Sequence, residues 1–208
     1  SAPEHIVPLC EVAARHNRLY ATHVRNRDRF YDLGFGEAIA TARSSGARLQ
    51  ISHIQPKYGA PPHAMEHTLE MINLSRRYGV ELAFDVIPHD WAHTLVMAIL
   101  PRWALEGGVD KVIERLKDPT LREKMKQNRS PMWLLVADGL WSKILLLNSR
   151  ENAHLVGENF AELGRARGKD PYDVVFDLLL EEGTGMHQLL WTSQAFSQED
   201  IDLCLEQD

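Results

Sequence analysis

Two apolar runs near the N-terminus, "YATH" at 20–23 and "QISHI" at 50–54, each reach a histidine, with helix-length sequence between them. A crossover that long rules out a tight hairpin and predicts parallel pairing of the two strands. The rhythm extends in both directions. Ile6, Leu9, Cys10, Val12 and Ala13 recur at helical spacing over 3–15. "GEAIATARSSG" reads as a helix closed by Gly46. Residues 62–78 read as another, stopped by Gly79, and "VELAFDVIP" as a third strand halted at Pro88. Strands near 19–23, 48–53 and 80–87, joined by helices, predict an α/β fold with a parallel sheet over 1–88.

After Pro88 the pattern changes. Residues 89–150 read as mostly helical and hold four of the five tryptophans, Trp91, Trp103, Trp133 and Trp141. Asp118-Pro119 supplies a cap and a first-turn proline for a helix, and Gly107-Gly108 a tight turn. This segment is expected to be an inserted subdomain or lid. Over 151–208 the earlier rhythm resumes. "DPYDVVFDLLLEEG" has Asp170 as cap, Pro171 at the first helical position and Gly183 as terminator. "HQLLWTS" reads as a strand, and Ser197 with Asp200 forms a capping box for a last helix.

The net charge of -6 comes from interspersed acids and bases, so no clustered Lys and Arg surface awaits nucleic acid or an anionic membrane. The one basic stretch, "LREKMKQNR" at 121–129, carries a glutamate and reads as a solvated helix face. No window approaches ~18 uninterrupted apolar residues, so no membrane span is expected. No basic-then-apolar leader is present, which predicts a cytoplasmic protein. Cys10 and Cys204 fall in helical patterns and are expected to be buried free thiols.

In parallel α/β folds, ligands gather at the carboxyl ends of strands. His23 and His53 both stand there, and two adjacent strand ends aim two imidazoles at one place. Neutral imidazole is a common zinc ligand, which makes this pair the leading metal-site candidate. Two histidines each satisfied within the core are the plainer alternative. A rival is "HAMEH", where His63, Glu66 and His67 fit the H-x-x-E-H pattern on one helix face. So short a motif arises readily by chance, and a solvent-facing helix is favoured there. His89 and His93 flank the third strand end and either face the same cleft or cap the following helix. Asp85 reads as a buried polar anchor within the third strand. No glycine-rich nucleotide motif is present.

Taken together, "LYATHVRN", "LQISHI", "DVIPHDWAHT…LPRW…GG" and "GENFAELGRARGKDPYDVVFDLLLEEG" resemble the N-acyl-D-amino-acid deacylases (D-aminoacylases) of the amidohydrolase superfamily. The resemblance implies a partial metal-dependent-hydrolase (β/α)8, TIM-like barrel with a helical insertion, from an enzyme that hydrolyses a small-molecule amide. It implies zinc, one or two ions, with His23 and His53 at ligand positions on the fifth and sixth strands. It also implies that the proton-shuttling Asp lies beyond residue 208 and the first-strand His-x-His before residue 1, leaving this part inactive by itself. The substrate-facing positions fall on Arg25, Gln55, Lys57 and His89. Here the sequence departs from the family. Gln55 stands where a lysine is usual, with Lys57 nearby; Ile87-Pro88-His89 replaces Y-P-Y; Arg27 replaces the glutamate after the T-H-x-R-N run.

Against the enzyme stands a second reading, a small α/β module that binds a ligand or partner without catalysis. Three or four parallel strands without closure leave unpaired edges, which predicts homo-oligomerisation through them.

Overall fold

The computed structural model describes residues 3–127 and 133–207. Residues 128–132 of the expected insertion, with the tail of the basic stretch at Asn128 and Arg129, lie outside the described residues. The chain forms two compact units. One comprises residues 1–90 and 195–208, the other 91–194.

The first unit carries the predicted alternation: α1 (Pro3–Arg15), β1 (Leu19–Thr22), α2 (Tyr31–Ser45), β2 (Arg48–Ile51), α3 (Ala64–Arg77) and β3 (Leu82–Phe84). The strands are parallel in the order β1-β2-β3, with Tyr20 opposite Leu49 and Leu49 opposite Leu82. Alternation along each strand sorts the two faces. Leu49, Ile51 and Leu82 turn toward α2 and α3, where they meet Phe35, Ile39, Met65, Leu69 and Ile72 in one buried cluster. Leu19, Ala21 and Ala83 lie on the opposite face and are exposed, Leu19 by 50%. Gly46 closes α2 in the left-handed conformation, as the glycine predicts.

The second unit contains β4 (Trp91–Leu95), α4 (Arg102–Leu105), α5 (Val109–Lys117), α6 (Pro119–Gln127), α7 (Leu134–Ala137), β5 (Leu145–Asn148), α8 (Phe160–Arg167), α9 (Pro171–Glu182) and β6 (Leu190–Gln194). The expectation of an essentially helical 89–150 is corrected here. Trp91–Leu95 and Leu145–Asn148 are strands, both antiparallel to Leu190–Gln194, which pairs between them. Their partner lies far downstream, so neither short run declares itself locally. The contact boundaries also fall at 90/91 and 194/195 instead of near 150. The core gathers Phe160, Tyr172, Phe176, Leu179 and Trp191, with Trp133 edge-on to Trp191 at 5.0 Å between centroids. The basic stretch is not simply solvated: Arg122 pairs with Asp177 at 2.9 Å and Lys126 with Asp173 at 2.5 Å.

The chain re-enters the first unit where the Asp90 carbonyl accepts from the Ala195 and Phe196 N–H groups, at 2.9 and 3.1 Å. Then α10 (Gln198–Leu205) starts at Ser197, whose hydroxyl accepts from the Asp200 N–H at 3.0 Å. Cys10 and Cys204 are buried free thiols, and the Cys204 Sγ lies 3.4 Å from the Met65 sulfur. Among the described residues no helix is long and apolar enough to cross a membrane.

Candidate metal site

His23 directly follows β1, and His53 stands two residues beyond β2. Their rings meet. The His23 Nδ1 faces the His53 Nε2 in direct contact, with ring centroids 4.3 Å apart and planes tilted by 44°. Several local devices set this geometry. The Asn26 side-chain oxygen accepts from the N–H groups of Asp28 and Phe30, at 3.0 and 3.1 Å, turning the chain from β1 into α2. Gly34 lets α2 approach that turn: a Cβ there would lie 2.9 Å from the Asn26 carbonyl oxygen. The buried Tyr31 hydroxyl donates to the Ile54 carbonyl at 2.5 Å, tying α2 to the segment after β2.

His53 itself has φ +40°, a left-handed conformation uncommon for a residue with a side chain. Such a backbone costs on the order of 1–3 kcal/mol and persists where its surroundings enforce it. Both of its peptide groups are held by charged side chains. The Asp85 carboxylate accepts from the His53 N–H at 2.7 Å and from the Gln50 amide at 3.0 Å. The Arg27 guanidinium donates to the His53 carbonyl and, at 3.2 Å, to the Gln55 carbonyl. Hydrogen bonds to charged groups contribute about 1.5–3 kcal/mol each, enough to offset the backbone cost. Burial pushes the His53 imidazole down to about 4, helped by the Arg27 charge and then His23, against the pull of Asp85. At neutral pH His53 is therefore uncharged, the form in which an imidazole nitrogen binds a metal. Its Nδ1 is buried without a hydrogen-bond partner.

The remaining sequence-derived positions scatter. Arg25 pairs with Glu37 at 2.5 Å beside His23, where both line a hollow of about 210 Å³. Gln55 is fully buried, and its amide is engaged by the Ile87 backbone. It is therefore turned away from any ligand. Lys57 lines a separate cleft of about 450 Å³ with Tyr58, His63, Glu66 and Asp200. Burial and the Arg27 charge push its amine down to about 8, against the pull of Asp28. His89 is exposed in the bend after β3. His93 belongs to β4, opposite Thr192 in the other unit. The rival His63 and His67 are exposed at the start of α3, with His63 bonded to Glu66 at 3.1 Å. Asp85 is an anchor, but it is exposed and stands one residue past β3, which corrects the expectation of a buried residue within the strand. Arg27 is the residue whose part in the site sequence reasoning missed. Its only signal was a cation standing where the resembling family carries a glutamate. Among the described residues no third His, Cys, Asp or Glu joins the two imidazoles in a metal-binding group.

Three parallel strands with helical crossovers, and imidazoles gathered past the carboxyl ends of two of them, are the arrangement of an arc of a (β/α)8 barrel. The particular likeness is to the D-aminoacylases. No protein-family model matches the chain. A curated N-acyl-D-glutamate deacylase of Alcaligenes xylosoxydans xylosoxydans is 28% identical over 89 residues, 43% of this chain and 18% of its own length. The solved N-acyl-D-glutamate deacylase from Bordetella bronchiseptica, complexed with zinc and a phosphonate mimic of the tetrahedral intermediate, matches 100% of the chain. Its TM-score is 0.68 at 17% identity, over 34% of its own length. A D-aminoacylase described as defining a novel subset of amidohydrolases matches 98% with TM-score 0.64 at 18% identity, over 33% of its length. Another D-aminoacylase structure, TM-score 0.62 at 17% identity over 97% of this chain and 33% of its own, concerns a binuclear metal centre. The chain thus spans about a third of the solved enzymes it matches and shares their fold over that part.

Proposed function

We propose that this chain carries part of the active site of a metal-dependent amidohydrolase that cleaves N-acyl-D-amino acids or related N-acyl or cyclic amides. One observation carries the reading: the facing ring nitrogens of His23 and His53 past two adjacent parallel strands. The donor set fits zinc in part. Two imidazole nitrogens face each other there, and a complete zinc site needs further ligands beside them. Bound there, one or two zinc ions supply the Lewis acidity that polarises an acyl carbonyl and brings the pKa of water toward neutrality.

The chain's own residues have narrower tasks. His23 and His53 hold the ion. Arg25, half-exposed beside His23, offers its guanidinium to a substrate carboxylate in place of Glu37. Lys57 lines a separate cleft and His89 is exposed in the bend after β3, so neither is assigned a contact at the imidazole pair. Gln55 takes no part. With two imidazoles alone, this chain is expected to bind zinc weakly and to give no useful turnover.

Zinc titration of the wild type against His23→Ala, His53→Ala and His67→Ala tests the assignment. Loss of binding in the first two and its retention in the third supports it. Binding that survives both strand-end substitutions removes it. Calorimetric binding of N-acyl-D- against N-acyl-L-amino acids to the zinc-loaded protein tests the substrate class, and equal or absent binding of both removes the D-specific reading.

A further inference from the structure

Strict alternation would keep the two imidazoles apart. Residue 23 follows Leu19 and Ala21 on the exposed face of the sheet, whereas residue 53 follows Leu49 and Ile51 on the helix-facing side. The register agrees, since the Ser52 N–H donates to the Thr22 carbonyl and so brings residue 52, not 53, alongside the end of β1. The rings nevertheless touch. The backbone reversal at His53, φ +40°, is what redirects its side chain.

We propose that Arg27 and Asp85 are a pair of positioning residues that grip His53 from its two sides and hold this reversal. Asp85 takes the His53 N–H and Arg27 takes its carbonyl, so the peptide groups before and after the Cα are both fixed by charge. Arg27 is itself braced: its guanidinium reaches the Gln55 carbonyl and stands 5.6 Å from the Phe196 ring centre. Asp85 is braced by the Gln50 amide on the neighbouring strand. Neither residue touches the imidazole nitrogens in the hydrogen bonds they make. They act on the metal site by aiming a ligand. The consequence for metal binding rests on the function proposed above, and the ring geometry does not.

The test is a nuclear Overhauser contact between the His23 and His53 ring protons in the metal-free protein, paired with zinc affinity from competition with a chromophoric chelator. The contact is expected in the wild type and lost in Arg27→Met and in Asp85→Ala. It returns in Arg27→Lys and Asp85→Asn, which keep a donor and an acceptor in place. Zinc affinity is expected to fall about 10–100-fold in the first two variants and to recover with the ring contact. Should one variant fail to fold, the other decides. A ring contact of wild-type strength in Arg27→Met and Asp85→Ala, with only the thermal midpoint lowered, overturns the proposal. If His23→Ala and His53→Ala leave zinc affinity unchanged, the metal reading fails, while the ring contact still decides whether Arg27 and Asp85 position His53.

Discussion

The Gln55 side chain is bonded in both directions to the backbone of Ile87, donating to its carbonyl at 2.6 Å and accepting from its N–H at 3.2 Å. A buried amide used this way acts as an extra rung of the sheet beyond β3. Removing it leaves two partly buried backbone groups of Ile87 without their partner, at up to about 1–3 kcal/mol for each unsatisfied one. Gln55→Ala should lower the urea midpoint of unfolding by a corresponding amount. A variant of unchanged stability, with substrate affinity lost instead, would return Gln55 to the binding surface.

Gly34 offers a second check, on the approach of α2 to the segment after His23. An added Cβ would meet the Asn26 carbonyl oxygen at 2.9 Å and the Val24 Cβ at 3.3 Å. Backbone cannot move aside as a flexible side chain can, so α2 must shift. Overpacking of this kind costs about 1–3 kcal/mol. Gly34→Ala is expected to lower the thermal midpoint and to loosen the His23 turn. Gly36→Ala has open space around its Cβ and should not.

The two strand-end histidines, the parallel order and the helix caps at Asp170 and Ser197 were legible because each follows from local pattern. The alternation of β1 and β2, the glycine stops and the capping residues all act within a few positions along the chain. What local pattern missed depends on distant partners. β4 and β5 are short runs whose shared neighbour, β6, comes much later in the chain. Gln55 looked like a displaced substrate contact because nothing in its vicinity shows that Ile87 occupies its amide. Convergence of the imidazoles was foreseen from strand ends, yet alternation alone sends them to opposite faces. The backbone reversal at His53 that brings them together depends on Arg27 and Asp85, contributed by the segments after β1 and β3.

Lys57 gives a prediction in pH. Its amine is pushed from 10.5 down to about 8 in the folded chain, chiefly by burial. Between those values the unfolded chain binds a proton that the folded one does not, so stability rises with pH across about 8 to 10.5. Below 8 the folded state carries the full cost of a desolvated ammonium. Lys57→Met should therefore be more stable than the wild type at pH 7, by on the order of 1–3 kcal/mol. The gain should vanish above pH 10.5. Paired urea unfolding curves at pH 7, 9 and 10.5 measure it, and a difference independent of pH would contradict it.

Asp177 on α9 supplies the opposite sign in the second unit. Burial alone would raise its pKa, but hydrogen bonds from Lys169 and Arg122 win and hold it below its ordinary 3.8. A carboxylate depressed in the folded state contributes stability that is complete above its unfolded pKa. That contribution is lost as pH falls through the lower folded value. The second unit should therefore weaken on acidification below about pH 4. Asp177→Asn should lower stability at pH 7, since Arg122 and Lys169 then face a neutral amide. Its stability should also change less between pH 5 and pH 3 than the wild type's. Tryptophan fluorescence follows the unit directly, because all five tryptophans, at 91, 103, 133, 141 and 191, lie within 91–194. An equal acid response in wild type and variant would mean that the Arg122–Asp177–Lys169 cluster adds nothing to the fold.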